Sequence, residues 1–166
     1  LTTRRQRQMC IRDRYDYFFE VGKKYNIKPG APNHAERIEG GLLSYGNDML
    51  ISDNPFECGF EKLVHLNDNV EFIGKDSLKK ILKNGIKRKL MGVKINLDTL
   101  NLTSVDLFNK KKQIIGNLRS AAFSPTFKKI VGIAMINKEY CKNNEIFNIN
   151  LNDNLIDGKV CELPII

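Results

Sequence analysis

Tryptophan is absent from this 166-residue chain, and histidine occurs only twice, at His34 and His65. Neither histidine has a partner at metal-ligand or catalytic-triad spacing. The four cysteines, at 10, 58, 141 and 161, form no CxxC pair and have no histidine pair beside them. That pattern indicates neither a zinc site nor a disulfide framework, so no metal is expected and the thiols read as free ones in a reducing cytoplasm. No apolar run approaches the roughly 20 residues of a membrane span, and the hydrophobic stretch at 130–136 is short and β-like. Internal repeats and low-complexity linkers are lacking too. Abundant Asn and Lys without Trp fit a codon bias toward A and T.

Acidic residues are outnumbered by basic ones, 19 to 27, for a formal net charge of +8 that is unevenly placed. Residues 1–14 hold five Arg and one Asp, which leaves +4 for the remaining chain. This stretch resembles a translated sequencing adapter and is expected to be a non-native leader. The competing reading is a basic arm or a transit peptide. Elsewhere the basic residues are scattered, with no aromatic stacking platform between them, so no nucleic-acid partner is expected. The apolar content of 42% suffices for one modest core or two small ones.

Two regions follow. Tyr15, Phe18, Phe19 and Val21 mark the end of an amphipathic helix over 15–25, and Pro29-Gly30 punctuates a connector. Asn33 is an N-cap with Glu36 three residues later, a variant of the capping box, and Gly40-Gly41 ends that helix. Turns are expected at Tyr45-Gly46-Asn47-Asp48 and Asp53-Asn54-Pro55, a strand at 58–66, and a helix at 76–83 stopped by Gly85. From residue 87 the period becomes that of strands, expected at 89–96, 113–123, 129–137, 146–151 and 159–165. Short strands at this spacing suggest a small antiparallel barrel or sandwich.

The most informative run is Pro32-Asn33-x-x-Glu36-Arg37-Ile38-Glu39-x-Gly41-Leu42-Leu43-Ser44-Tyr45-Gly46-Asn47-Asp48. It resembles the glycine-cleavage T-protein (aminomethyltransferase) superfamily of folate-dependent one-carbon transferases, and within it the dimethylsulfoniopropionate demethylase branch. Phe56-Glu57-Cys58-Gly59-Phe60, Phe72-Ile73-Gly74-Lys75, Leu118-Arg119-Ser120-Ala121, Phe123-Ser124-Pro125 and Val160-Cys161-Glu162-Leu163-Pro164 continue the likeness in order. The resemblance covers the C-terminal half of such a protein. It implies an α+β fold, in which 15–84 complete the folate-binding domain and 85–166 form a small antiparallel β-barrel domain.

The resemblance further implies tetrahydrofolate as cofactor and a small sulfonium or amine methyl donor as substrate. It places Glu39 on the pterin ring, whose N–H and exocyclic amine offer one carboxylate two parallel donors. A salt bridge to Arg37 or Lys23 is the plain structural alternative for Glu39. Arg37 braces the turn or pairs with a carboxylate, or else touches the ligand. Tyr45 packs against folate or plugs the core. Arg119 neutralises the glutamate tail, lines the substrate cleft, or is solvated. Asp48 is expected to cap its turn, and Cys58 to be buried and inert. T-proteins often carry a basic residue shortly after the segment matching 58–66. Its absence from Leu66-Asn67-Asp68-Asn69 favours the demethylase branch. The K-G-C-Y-x-G-Q-E motif of non-catalytic folate-binding relatives is missing as well.

Overall fold

The computed structural model describes residues 2–30, 33–67, 69–99, 105–151 and 154–165, with the side chains of 2–10 left aside. The chain divides into two compact units, residues 1–32 and 33–166. In the first, helix α1 (Thr2–Gly22) runs into a 3-10 turn, Lys23–Tyr25. Asn26, at φ 52°, ends it. The helix expected at 15–25 therefore forms, with Tyr15, Tyr17, Phe18 and Val21 all exposed.

In the second unit, α2 (His34–Glu39) and α3 (Lys75–Asn84) precede six strands. These are β1 (Arg88–Ile95), β2 (Val105–Phe108), β3 (Ile114–Ser124), β4 (Lys129–Asn137), β5 (Ile146–Leu151) and β6 (Asn154–Cys161). They close into a barrel in the order β1-β4-β3-β2-β5-β6, with every pairing antiparallel.

The apolar run at 130–136 becomes intelligible in β4. Side chains alternate across a strand, so Ile130, Ala134 and Ile136 join the core shared by all six strands, with Val93, Leu107, Leu118, Phe147 and Val160. Val131, Ile133 and Met135 face the other way and meet Ile38, Leu90 and Ile165 in a second core. A strand covered on both faces needs no polar residues between its ends. Ile38, with no exposed surface, anchors α2 there, a burial that stabilises by about 1.5–3 kcal/mol.

Three expectations are corrected. Residues 58–66 form turns and a 3-10 helix, Glu61–Leu63, because Gly59 at φ 80° breaks the extended path. Strand β6 runs earlier than expected and carries Gly158 in its interior. An added Cβ there would lie 2.2 Å from the Phe147 ring, so this glycine is a seat for the ring instead of a turn residue. Strand β2 was not expected at all. Helix α3 matches its expected span, stopped by Gly85, although Leu82 on its apolar side is 61% exposed. No described helix is long and apolar enough to cross a membrane.

Candidate functional site

Helix α2 is short, so its ends carry much of its definition. The Asn33 side chain accepts the Glu36 N–H at 2.8 Å, and the Glu36 carboxylate accepts the Asn33 N–H at 3.3 Å, which completes the capping box. At the other end Gly41 takes φ 66°. Its N–H donates to the Ile38 carbonyl at 3.1 Å, and the Leu42 N–H donates to the Arg37 carbonyl at 2.9 Å. This paired arrangement is a Schellman cap, which favours glycine at that position.

Arg37 turns toward Asp48. Its Nη1 donates to Asp48 Oδ2 at 2.5 Å and to the Leu42 carbonyl at 2.7 Å. Asp48 has no exposed surface. It accepts the Ser44 N–H at 2.7 Å, closing its own turn as expected, and also accepts the hydroxyl of Ser120 from β3. Arg37 Nη2 is buried and makes no hydrogen bond among the described residues. A buried unsatisfied donor of this kind is uncommon and calls for an acceptor.

A second charged knot lies beside the first. The Asp53 side chain, also fully buried, accepts from Arg88 Nη2 at 2.9 Å and from Arg119 Nη1 at 3.3 Å. Arg88 Nε donates to Glu57 at 3.1 Å. Asn54 caps the turn by accepting the N–H groups of Phe56 and Glu57, each at 3.1 Å. Arg119 also donates to the backbone carbonyl of Asp48 at 3.5 Å, which joins the two knots. Three guanidinium groups thus face three carboxylates where segment 37–57 meets β1 and β3. Burial pushes the Cys58 thiol up to about 11, and the carboxylates of Asp53 and Glu57 add to the effect. A thiol so disposed is a poor nucleophile.

Glu39 stands apart from this network. It is half-buried, and its carboxylate has no hydrogen bond or ion pair among the described residues. Arg37 is engaged by Asp48, so it does not neutralise Glu39. The Glu39 backbone carbonyl, by contrast, is held by the Ile165 N–H at 2.7 Å. Tyr45 is 71% exposed and does not plug the core. Arg119, with a side chain 11% exposed, is not solvated. It lines a cleft of about 720 Å³ together with His34, Asn47, Arg88, Asp106 and Asn137. Glu39, Arg37 and Tyr45 do not line that cleft. The structure therefore links Arg37 to Arg119 through Asp48 and leaves Glu39 and Tyr45 outside the network. Sequence reasoning missed Asp53, Arg88 and Ser120. Asp53 carried only a turn signal, and its burial depends on strands far along the chain.

The family described as glycine cleavage T-protein C-terminal barrel domain matches residues 88–166. Over these residues and those before them the chain is similar to proteins of the T-protein superfamily. An aminomethyltransferase of Thermoanaerobacter pseudethanolicus is 35% identical over 130 residues, covering 77% of this chain and 35% of that protein. The dimethylsulfoniopropionate demethylase DmdA of Ruegeria pomeroyi is 33% identical over 126 residues, 76% of this chain and 34% of the other. The crystal structure of the glycine cleavage system aminomethyltransferase T from Bartonella henselae superposes with a TM-score of 0.74 at 23% identity. That match covers 80% of this chain and 37% of the other, and it establishes the shared fold. The chain thus spans about a third of the length of the proteins it matches.

Proposed function

We propose that the chain is part of a tetrahydrofolate-dependent one-carbon transferase, in which residues 15–84 complete the folate-binding domain and 85–166 are its barrel. One observation carries this reading. Glu39 has a fixed backbone and an unpaired, half-buried carboxylate, in a run that resembles the superfamily's pterin-binding turn. A carboxylate so placed fits the adjacent N–H and amine of a pterin, which it accepts as two charge-assisted hydrogen bonds. The unsatisfied Nη2 of Arg37, two residues earlier, has a donor to spare for a ligand acceptor. Tyr45 has an exposed ring free to pack on a ligand, whereas Arg119 brings its cation to a cleft that Glu39, Arg37 and Tyr45 do not line.

Tetrahydrofolate, when bound, supplies N5 as acceptor of the methyl group. Glu39 orients that acceptor and takes no part in bond making. With dimethylsulfoniopropionate as donor, the S–CH3 bond would break as the N5–CH3 bond forms, giving methylmercaptopropionate, 5-methyltetrahydrofolate and the proton released from N5. The sulfonium departs as a neutral thioether, so the protein has little acid catalysis to provide and acts mainly by alignment, which contributes on the order of 7 kcal/mol or more. The likeness to a dimethylsulfoniopropionate demethylase supports this donor. The likeness at 35% identity to an aminomethyltransferase supports a second reading, with an aminomethyl-lipoyl carrier as donor.

Offering each donor with tetrahydrofolate to a full-length enzyme that contains this chain separates the two readings. Formation of 5-methyltetrahydrofolate from dimethylsulfoniopropionate supports the first. Turnover of the carrier alone overturns it. The 166-residue chain by itself is expected to bind folate and to catalyse nothing, and turnover by it would contradict the proposal.

A further inference from the structure

We infer that residues 162–165, which follow β6, are a strap that positions Glu39; the inference rests on the folate reading above. The barrel closes without them, since β6 pairs with β1 from Ile95↔Gly158 to Gly92↔Cys161 and then ends. What the strap touches is the end of α2. The last four carbonyls of a helix lack intrahelical partners. Here those of Glu36, Arg37 and Ile38 are taken by the N–H groups of Gly40, Leu42 and Gly41, and that of Glu39 by Ile165 at 2.7 Å. Three of the four are satisfied within the cap, and the strap supplies the fourth donor.

The strap is itself seated firmly. Ile165 is 2% exposed and packs in the second core with Ile38. Its side chain lies over Gly92, where an added Cβ would stand 2.8 Å from Ile165 Cγ1. Leu163 and Pro164 cross Gly41, with Leu163 Cβ and Pro164 Cα 3.4 and 3.5 Å from where a Cβ would be. Two glycines lacking side chains thus form the track along which the strap lies. Paired hydrogen bonds to a planar ligand edge require a carboxylate held within about 10–20° of its productive direction. Because the Glu39 carboxylate has no partner of its own among the described residues, that precision comes from its backbone. The strap fixes this backbone on the side opposite the capping box.

The test uses the 166-residue chain in four forms: unaltered, Glu39→Gln, truncated after Cys161, and truncated in the Glu39→Gln background. Ile165→Ala, alone and with Glu39→Gln, is the milder counterpart. Tetrahydrofolate is titrated into each by calorimetry, and amide hydrogen exchange is followed at residues 40–42 and along β3 and β4. A positioning strap weakens binding about tenfold or more when Glu39 is present and less than about twofold once it is replaced, the non-additivity of coupled sites. Exchange accelerates at 40–42 while β3 and β4 stay protected. Equal losses in both backgrounds overturn the inference. So does exchange spreading through β3 and β4 in both the truncation and Ile165→Ala, or no change at 40–42 in either. If the unaltered chain fails to bind, or Glu39→Gln binds as well as it does, the folate reading falls, and the exchange data alone decide whether the strap holds α2.

Discussion

Asp48→Asn removes one negative charge from the junction of α2 and β3 and leaves the side-chain volume nearly unchanged. The carboxylate it replaces is fully buried and accepts from Arg37 at 2.5 Å, from the Ser44 N–H at 2.7 Å and from Ser120. Arg37 has a side chain 19% exposed, so little water is available to take over its charge. Breaking a buried pair by removing one partner costs about 3–5 kcal/mol. The amide oxygen of the replacement still accepts from Ser44, and Arg37 keeps its bond to the Leu42 carbonyl, which places the loss near the lower end, at about 3 kcal/mol. Urea unfolding followed by circular dichroism reads this as a midpoint lowered by ~1–3 M at unchanged slope. Adding Arg37→Met removes the stranded cation, and the double variant recovers much of the loss. A single-variant loss below about 1 kcal/mol, or a double-variant loss equal to the sum of the singles, would refute the reasoning, for it would mean the pair is solvated or uncoupled.

Three more outcomes are expected. Gly158→Ala drives a methyl group into the buried Phe147 ring, whose nearest atom stands 2.2 Å from the new Cβ, and thermal unfolding should show a loss of about 1–3 kcal/mol or more; an unchanged melting temperature would contradict the described packing of β5 on β6. Ile38→Ala empties a fully buried position between α2 and β4 and should cost about 2–5 kcal/mol by denaturant titration. Cys58, whose thiol is pushed from 9.0 up to about 11 chiefly by burial, should carry roughly a hundredfold less thiolate at pH 8 than an unperturbed cysteine, so its peptide stays unalkylated by iodoacetamide in native protein and reacts after unfolding. The folded state keeps that proton between the two values while the unfolded thiol loses it, so this contribution to stability is complete below about pH 9 and declines as pH rises toward 11. Cys141 and Cys161 are shifted in the same direction by burial.

What the sequence made legible was local. The Asn33–Glu36 box, the glycine stop at 40–41, and the strands at 129–137 and 146–151 rest on signals contained within a few residues, and each forms where expected. Strand β2 gave too little to read: four residues with Asp106 among them and a register shift after Leu107. Asp157-Gly158 has turn chemistry, yet a ring from β5 occupies the space that makes this glycine useful inside a strand. The site divided along the same line. The Asp48 turn was visible from its own residues. The bonds of Asp48 to Ser120 and of Asp53 to Arg88 and Arg119 span 35 or more residues, and no periodicity announces them. The freedom of Glu39 was equally hidden, because it depends on Arg37 having another carboxylate to hold.

That freedom is where a direct measurement can be made. Tetrahydrofolate titrated by calorimetry into the chain and into its Glu39→Gln variant isolates one charge on an already fixed backbone. Each hydrogen bond to a charged group contributes about 1.5–3 kcal/mol, so the variant should bind at least about tenfold more weakly while unfolding at the same urea concentration. Equal affinity for the two proteins would contradict the account at its centre.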